Sequence, residues 1–106
     1  MKNDFATDHL KGDALKAAKV MLSLLPKDAS GGGCRAFYTP EEWKERGEDY
    51  GTESVLVVCH DGGDLAPYLN MDYCAYKKWE EMFKEFEGTE FYVEQCTSWY
   101  SAVYPR

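Results

Sequence analysis

The chain is predicted to be an α+β domain: a mainly antiparallel sheet of four to five strands with two longer helices and one short helix, a two-layer sandwich covering residues 1–106. Three observations predict it. Two well-separated stretches repeat apolar residues at helical spacing, one central run is continuously β-branched, and the C-terminal segment alternates apolar and polar residues. Helices and strands mixed in this order, without a regular βαβ rhythm, suit an antiparallel sheet covered by helices on one face.

The elements follow in order. Between residues 7 and 25, Leu10, Ala14, Ala17, Met21 and Leu24 form a broad apolar face, with Thr7 or Asp13 as the candidate cap, Gly12-Asp13 leaving the start open between the two, and Pro26 as the stop. The run 27–33 ends in three glycines and reads as a loop. It lacks the G-x-x-x-x-G-K-[ST] spacing of a phosphate cradle, and it follows a helix where that motif needs a strand. A short strand is expected over 34–38. Thr39-Pro40-Glu41-Glu42 is a capping box with proline at the first helical position, so a short helix is expected over 40–46, closed by Gly47. Ser54 to His60 is the continuous β-branched run and reads as the centre of the sheet. Gly62-Gly63 then suggests a tight hairpin turn, with Leu65 to Asn70 as the returning strand and Pro67 placing it at an edge or at a bulge. From Tyr73, the spacing of Tyr76, Trp79, Phe83 and Phe86 predicts an amphipathic helix ending at Gly88. Residues 90–104 alternate and read as two strands, or one bent strand.

Composition narrows the function. Of the 106 residues, 44% are hydrophobic and 15% aromatic, which excludes a disordered acidic tail. No apolar run is long enough to span a membrane, and Met1-Lys2-Asn3-Asp4 leads into a polar segment unlike a secretion signal, so the expected compartment is the cytoplasm. Cys34, Cys59, Cys74 and Cys96 show no C-x-x-C pair and accompany only two histidines, so reduced, mostly buried thiols are expected and structural zinc is not. No cofactor is expected.

Twelve Lys and Arg against 19 Asp and Glu give a net charge of −7, and phosphate-gripping proteins need the opposite balance. The charge is uneven: residues 1–35 carry +2 and residues 36–106 carry −9. Between Gly47 and Tyr76 there is no Lys or Arg, while Glu48, Asp49, Glu53, Asp61, Asp64 and Asp72 lie among several tyrosines. Such a surface steers toward a basic partner rather than toward nucleic acid or membrane. The candidate partner-binding residues are Glu48, Asp49, Tyr50, Glu53, Asp61, Asp64, Tyr68, Asp72 and Tyr73, with tyrosines as anchors.

Other constellations are weaker. His60, Asp61 and Asp64, with Asp72 nearby, offer an imidazole and carboxylates at a strand end, the alternative reading being a small metal-assisted hydrolase. Cys59 and His60 are strand neighbours and point to opposite faces, so they do not form a nucleophile–base pair. The aromatic tail around Trp99, Tyr100 and Tyr104 is a candidate homodimer surface, the chain being a monomer or a homodimer.

In size, acidity and exposed-aromatic character, the chain resembles small phage or mobile-element proteins of the anti-CRISPR or nucleic-acid-mimic type. The resemblance implies a non-enzymatic inhibitor or modulator of a basic, nucleic-acid-handling effector.

Overall fold

Val57 and Val58 are fully buried although their side chains point to opposite faces of one strand, so both faces of the sheet must be covered. The computed structural model describes residues 5, 7–26, 29, 35–48, 51–60, 63–70, 73–97 and 99–105. Their order is α1 (Gly12–Leu22), β1 (Phe37–Tyr38), α2 (Pro40–Glu45), β2 (Leu56–Cys59), α3 (Ala66–Leu69), α4 (Tyr76–Glu87), β3 (Phe91–Gln95) and β4 (Tyr100–Pro105). The class is α+β, and the four strands pair antiparallel in the order β1-β2-β4-β3. Among the described residues, no helix is long and apolar enough to cross a membrane.

Register assigns the faces. Phe37, Leu56, Val58, Val93 and Val103 share one face and pack with α1 and α4 through Ala14, Ala17, Ala18, Met21, Met82 and Phe86. Tyr38, Val57, Cys59 and Tyr100 share the other. The two longer helices lie on one face, as expected. The short α2 instead caps the opposite face, where Trp43 lies with its ring centroid 4.9 Å from Tyr100, 5.2 Å from Tyr38 and 5.7 Å from Trp99. A central strand apolar on both sides requires such a cap.

The capping box forms as its residues dictate. Thr39 Oγ1 accepts from the Glu42 amide at 3.1 Å, and the Glu42 carboxylate accepts from the Thr39 amide at 2.9 Å. Gly47, at φ +89°, supplies the left-handed residue beyond the helix end.

Three expectations need correction. Helix α1 starts at Gly12, not near residue 7, because residues 7–10 close a separate turn in which the Leu10 amide donates to the Thr7 carbonyl at 2.9 Å. Its N-cap is Lys11, which has no side-chain capping bond, so neither Thr7 nor Asp13 serves as the cap. The supposed returning strand at 65–70 is the single-turn helix α3. Pro67 sits in its first turn, where the missing N–H costs nothing, and Leu65 and Leu69 share one buried face at helical spacing. β2 therefore pairs with β1 and β4, not with the segment that follows it, and the Gly62 half of the supposed turn lies outside the described residues. Finally, α4 begins at Tyr76 rather than Tyr73, after Cys74 turns the chain at φ +56°.

The tail is a true hairpin of two strands, and Tyr100, Ser101, Ala102 and Val103 are all buried. Tyr100 and Trp99 build the second face, whereas Tyr92 and Tyr104 stack at 5.5 Å on the open side of the hairpin.

Removing the cap should cost far more than removing its helix's hydrogen bond. In urea unfolding, Thr39→Ala is expected to lose about 1 kcal/mol, and Trp43→Ala about 3–5 kcal/mol.

Candidate partner-binding surface

The predicted surface residues divide between the two sides of the sheet. On the α2 side, Glu48 pairs with Arg46 at 3.5 Å. The Arg46 guanidinium lies 4.6 Å from the Trp43 ring centroid and 5.2 Å from that of Tyr38, which Arg35 covers at 4.5 Å. Arg35 in turn bonds the Glu42 carboxylate. Glu48 thus belongs to a clamp of arginines, rings and carboxylates over the aromatic cap. Glu53 is exposed in the loop leading to β2. That loop borders an open cleft of about 440 Å³ whose lining includes His9, Lys11, Asp13, Thr39 and Glu41.

On the helical side, α3 and α4 form a corner. Tyr68 packs against the main core, donates its hydroxyl to the Leu24 carbonyl at 3.3 Å and carries the Lys78 ammonium 5.4 Å from its ring centroid. Burial, followed by the charges of Glu81 and Asp64, pushes its phenol above the ordinary tyrosine range. Two carboxylates therefore share this corner, Asp64 before α3 and Glu81 on α4. Tyr68 is bound into the fold, whereas Tyr73, which follows α3, is 51% exposed. Asp49, Tyr50, Asp61 and Asp72 lie outside the described residues.

Glu81, exposed, has no place in the sequence-based reading, and Tyr76, expected on the apolar face of α4, is instead 56% exposed, the buried positions of that helix being Met82 and Phe86. Spacing offered a signal for Glu81: it falls three residues after Lys78, on the same flank of α4.

The histidine and carboxylates proposed for a metal do not gather among the described residues. His60 is 1% exposed, and its Nε2 lies 2.8 Å from Ser101 Oγ, whereas Asp64 is exposed. No group of three His, Cys, Asp or Glu side chains suited to a metal occurs among the described residues. A serine hydroxyl bonded to imidazole is the geometry of an activated nucleophile, but Ser101 is wholly buried and no substrate reaches its oxygen. The bond instead ties the end of β2 to β4, beside the His60 amide, which donates to the Trp99 carbonyl at 2.8 Å.

Of the cysteines, Cys59 is buried, Cys96 half-buried and Cys74 exposed, and all three are thiols. Cys34 lies outside the described residues. Cys96 adjoins Tyr104, Glu94 and Tyr92 on the open face of the β3–β4 hairpin. Burial, then the nearby charges of Cys96, Glu94 and Tyr92, pushes the Tyr104 phenol up to about 12.

With this geometry in view, the chain was compared with known families, curated proteins and solved structures, and none matches.

Two titrations check the electrostatics. In ultraviolet absorbance, one phenol should ionise near 12 and vanish from the curve in Tyr104→Phe. Because the folded value is raised, its stabilising contribution is intact below pH 10 and is lost as pH climbs toward 12. Glu42 behaves oppositely. Burial raises its carboxyl, but the Arg35 and Thr39 bonds outweigh burial and hold it below the ordinary 4.5. Its contribution is intact above 4.5 and falls away at lower pH, so Glu42→Gln should flatten the acid limb of a stability–pH curve.

Proposed function

We propose that this chain is a non-enzymatic, cytoplasmic binding protein that docks on a basic surface of a nucleic-acid-handling protein and inhibits or modulates it. The observation that supports the reading most is the α3–α4 corner, where the half-exposed ring of Tyr73 lies in the segment joining α3 to α4, and the exposed carboxylates of Asp64, just before α3, and Glu81, on α4, both act on Tyr68. Tyrosine is favoured at interface hot spots because it buries a large ring at little entropic cost and keeps a polar tip. Carboxylates at the same corner attract Lys and Arg and repel phosphates.

The mode of action follows from the charge. A body of net charge −7 that occupies a nucleic-acid groove competes with the polyanion for the same cations. Glu48 and Glu53 lie away from this corner. They shape the long-range field of the chain more than its contact, a role that screening weakens beyond a Debye length of about 8 Å at physiological salt.

The test is binding of the immobilised chain to a panel of basic nucleic-acid-binding proteins between 50 and 500 mM salt. At least one should bind, lose affinity steeply across that range and be displaced by duplex DNA. Tyr73→Ala and Glu81→Lys should each weaken it about tenfold or more, the scale of an interface hot spot. Absence of any salt-sensitive binder overturns the reading.

A further inference from the structure

The two flanks of α4 differ. Met82 and Phe86 point into the core, and Lys78 and Glu81 adjoin Tyr68 on the α3 side. The other flank carries Tyr76, Glu80, Phe83 and Glu87, spaced by four, three and four residues, which places them in one stripe. Tyr76 is 56% exposed, the most exposed large ring among the described residues. Trp79 and Phe83 are half-buried, their ring centroids 4.0 Å apart.

The charges bordering this stripe are ordered. Lys77 and Glu80 stand in its N-terminal half and Lys84 and Glu87 in its C-terminal half, all exposed. None of the four has an ion pair among the described residues. Two lysines and two glutamates make the stripe neutral in a chain of net charge −7, so a basic partner gains nothing from it.

We propose that this flank of α4 docks on the same flank of a second copy of the chain, the two helices running antiparallel about a two-fold axis. Antiparallel pairing sets Lys77 opposite Glu87 and Glu80 opposite Lys84 of the other copy, each contact occurring twice by symmetry. Parallel pairing would set each residue against itself, lysine on lysine and glutamate on glutamate. Tyr76, Trp79 and Phe83 supply the apolar contact, and the four charges fix direction and register. The reading is independent of partner binding, which uses Tyr73, Asp64 and Glu81.

Sedimentation equilibrium of the full chain tests it. The mass should rise with concentration from 12.1 kDa toward twice that value. Tyr76→Glu should hold the chain monomeric with an unchanged circular dichroism spectrum. Lys77→Glu and Glu87→Lys should each weaken the dimer, and the double variant should restore it. Lys77 and Glu87 are about 15 Å apart along the helix axis, so rescue cannot arise within one helix. A simple effect of net charge would move the two single variants in opposite directions, since one makes the chain more negative and the other less. A mass of 12.1 kDa at every concentration, or a double variant no better than the singles, overturns the proposal. A monomeric Tyr76→Glu chain that still binds a basic protein leaves the proposed function standing, whereas an intact dimer without any such binding removes only the function.

Discussion

The pairing of β2 with β4 is the constraint from which the rest of the structure follows. Leu56, Val57, Val58 and Cys59 are buried on both faces and carry no polar side chain, so their backbone groups can be satisfied only by strands on either side. β4 provides one side in four-residue register and β1 the other. Once that ladder is buried, each face needs an apolar cover. The long helices supply one. The second is a small area centred on Trp43, which a single turn of helix can seal if its end is fixed, and the Thr39–Glu42 box fixes it. Gly51, at φ +83°, returns the chain close to Val57 and Ala102 on the same face and completes the seal.

Elements whose signal is local were legible in the sequence. The capping box, the apolar stripe of α1, the unbroken run of β2 and the alternation of β3 each express one period or one motif within a dozen residues, whereas the stripe of α4 was legible only in part, Tyr76 being 56% exposed while Met82 and Phe86 are buried. The order β1-β2-β4-β3 was not legible, because it joins β2 to a strand some 40 residues later and no local pattern encodes that choice. α3 was misread for a related reason. Over five residues, Leu65 and Leu69 sit on one face of a strand as readily as on one face of a helical turn, and only the packing partner decides. Of the surface, the charge imbalance was legible, but its distribution was not. Tyr68 illustrates the difficulty: a ring with a hydroxyl tip serves equally as an exposed anchor or as a core residue whose oxygen reaches a carbonyl, here that of Leu24.

The acidic composition also has a structural use. β3 is an edge strand, and an edge offers unpaired backbone groups to any neighbouring chain. Thr89 accepts from the Phe91 amide at 3.1 Å with its hydroxyl oxygen, which occupies the first of these groups. Glu94 is exposed on this strand and Glu90, paired with Lys16 at 3.7 Å, just before it, so two such edges brought together would crowd carboxylates. The opposite edge, β1, is only two residues long. Both edges are therefore poor templates for sheet extension.

Blunted edges leave the helices as the surface for the proposed association, and there the charge pattern separates the two flanks of α4. The flank toward α3 brings Glu81 and Asp64 to Tyr68 with one ammonium, Lys78, over that ring, so carboxylates outnumber cations there. The opposite flank balances its lysines and glutamates around Tyr76. A chain of net charge −7 repels its own copies at long range, and only a locally neutral, aromatic patch lets two of them approach without that repulsion growing at contact. One helix can thus face unlike partners on its two sides. Paired copies would present two acidic corners to a partner with a repeated basic surface, raising effective concentration without any new contact.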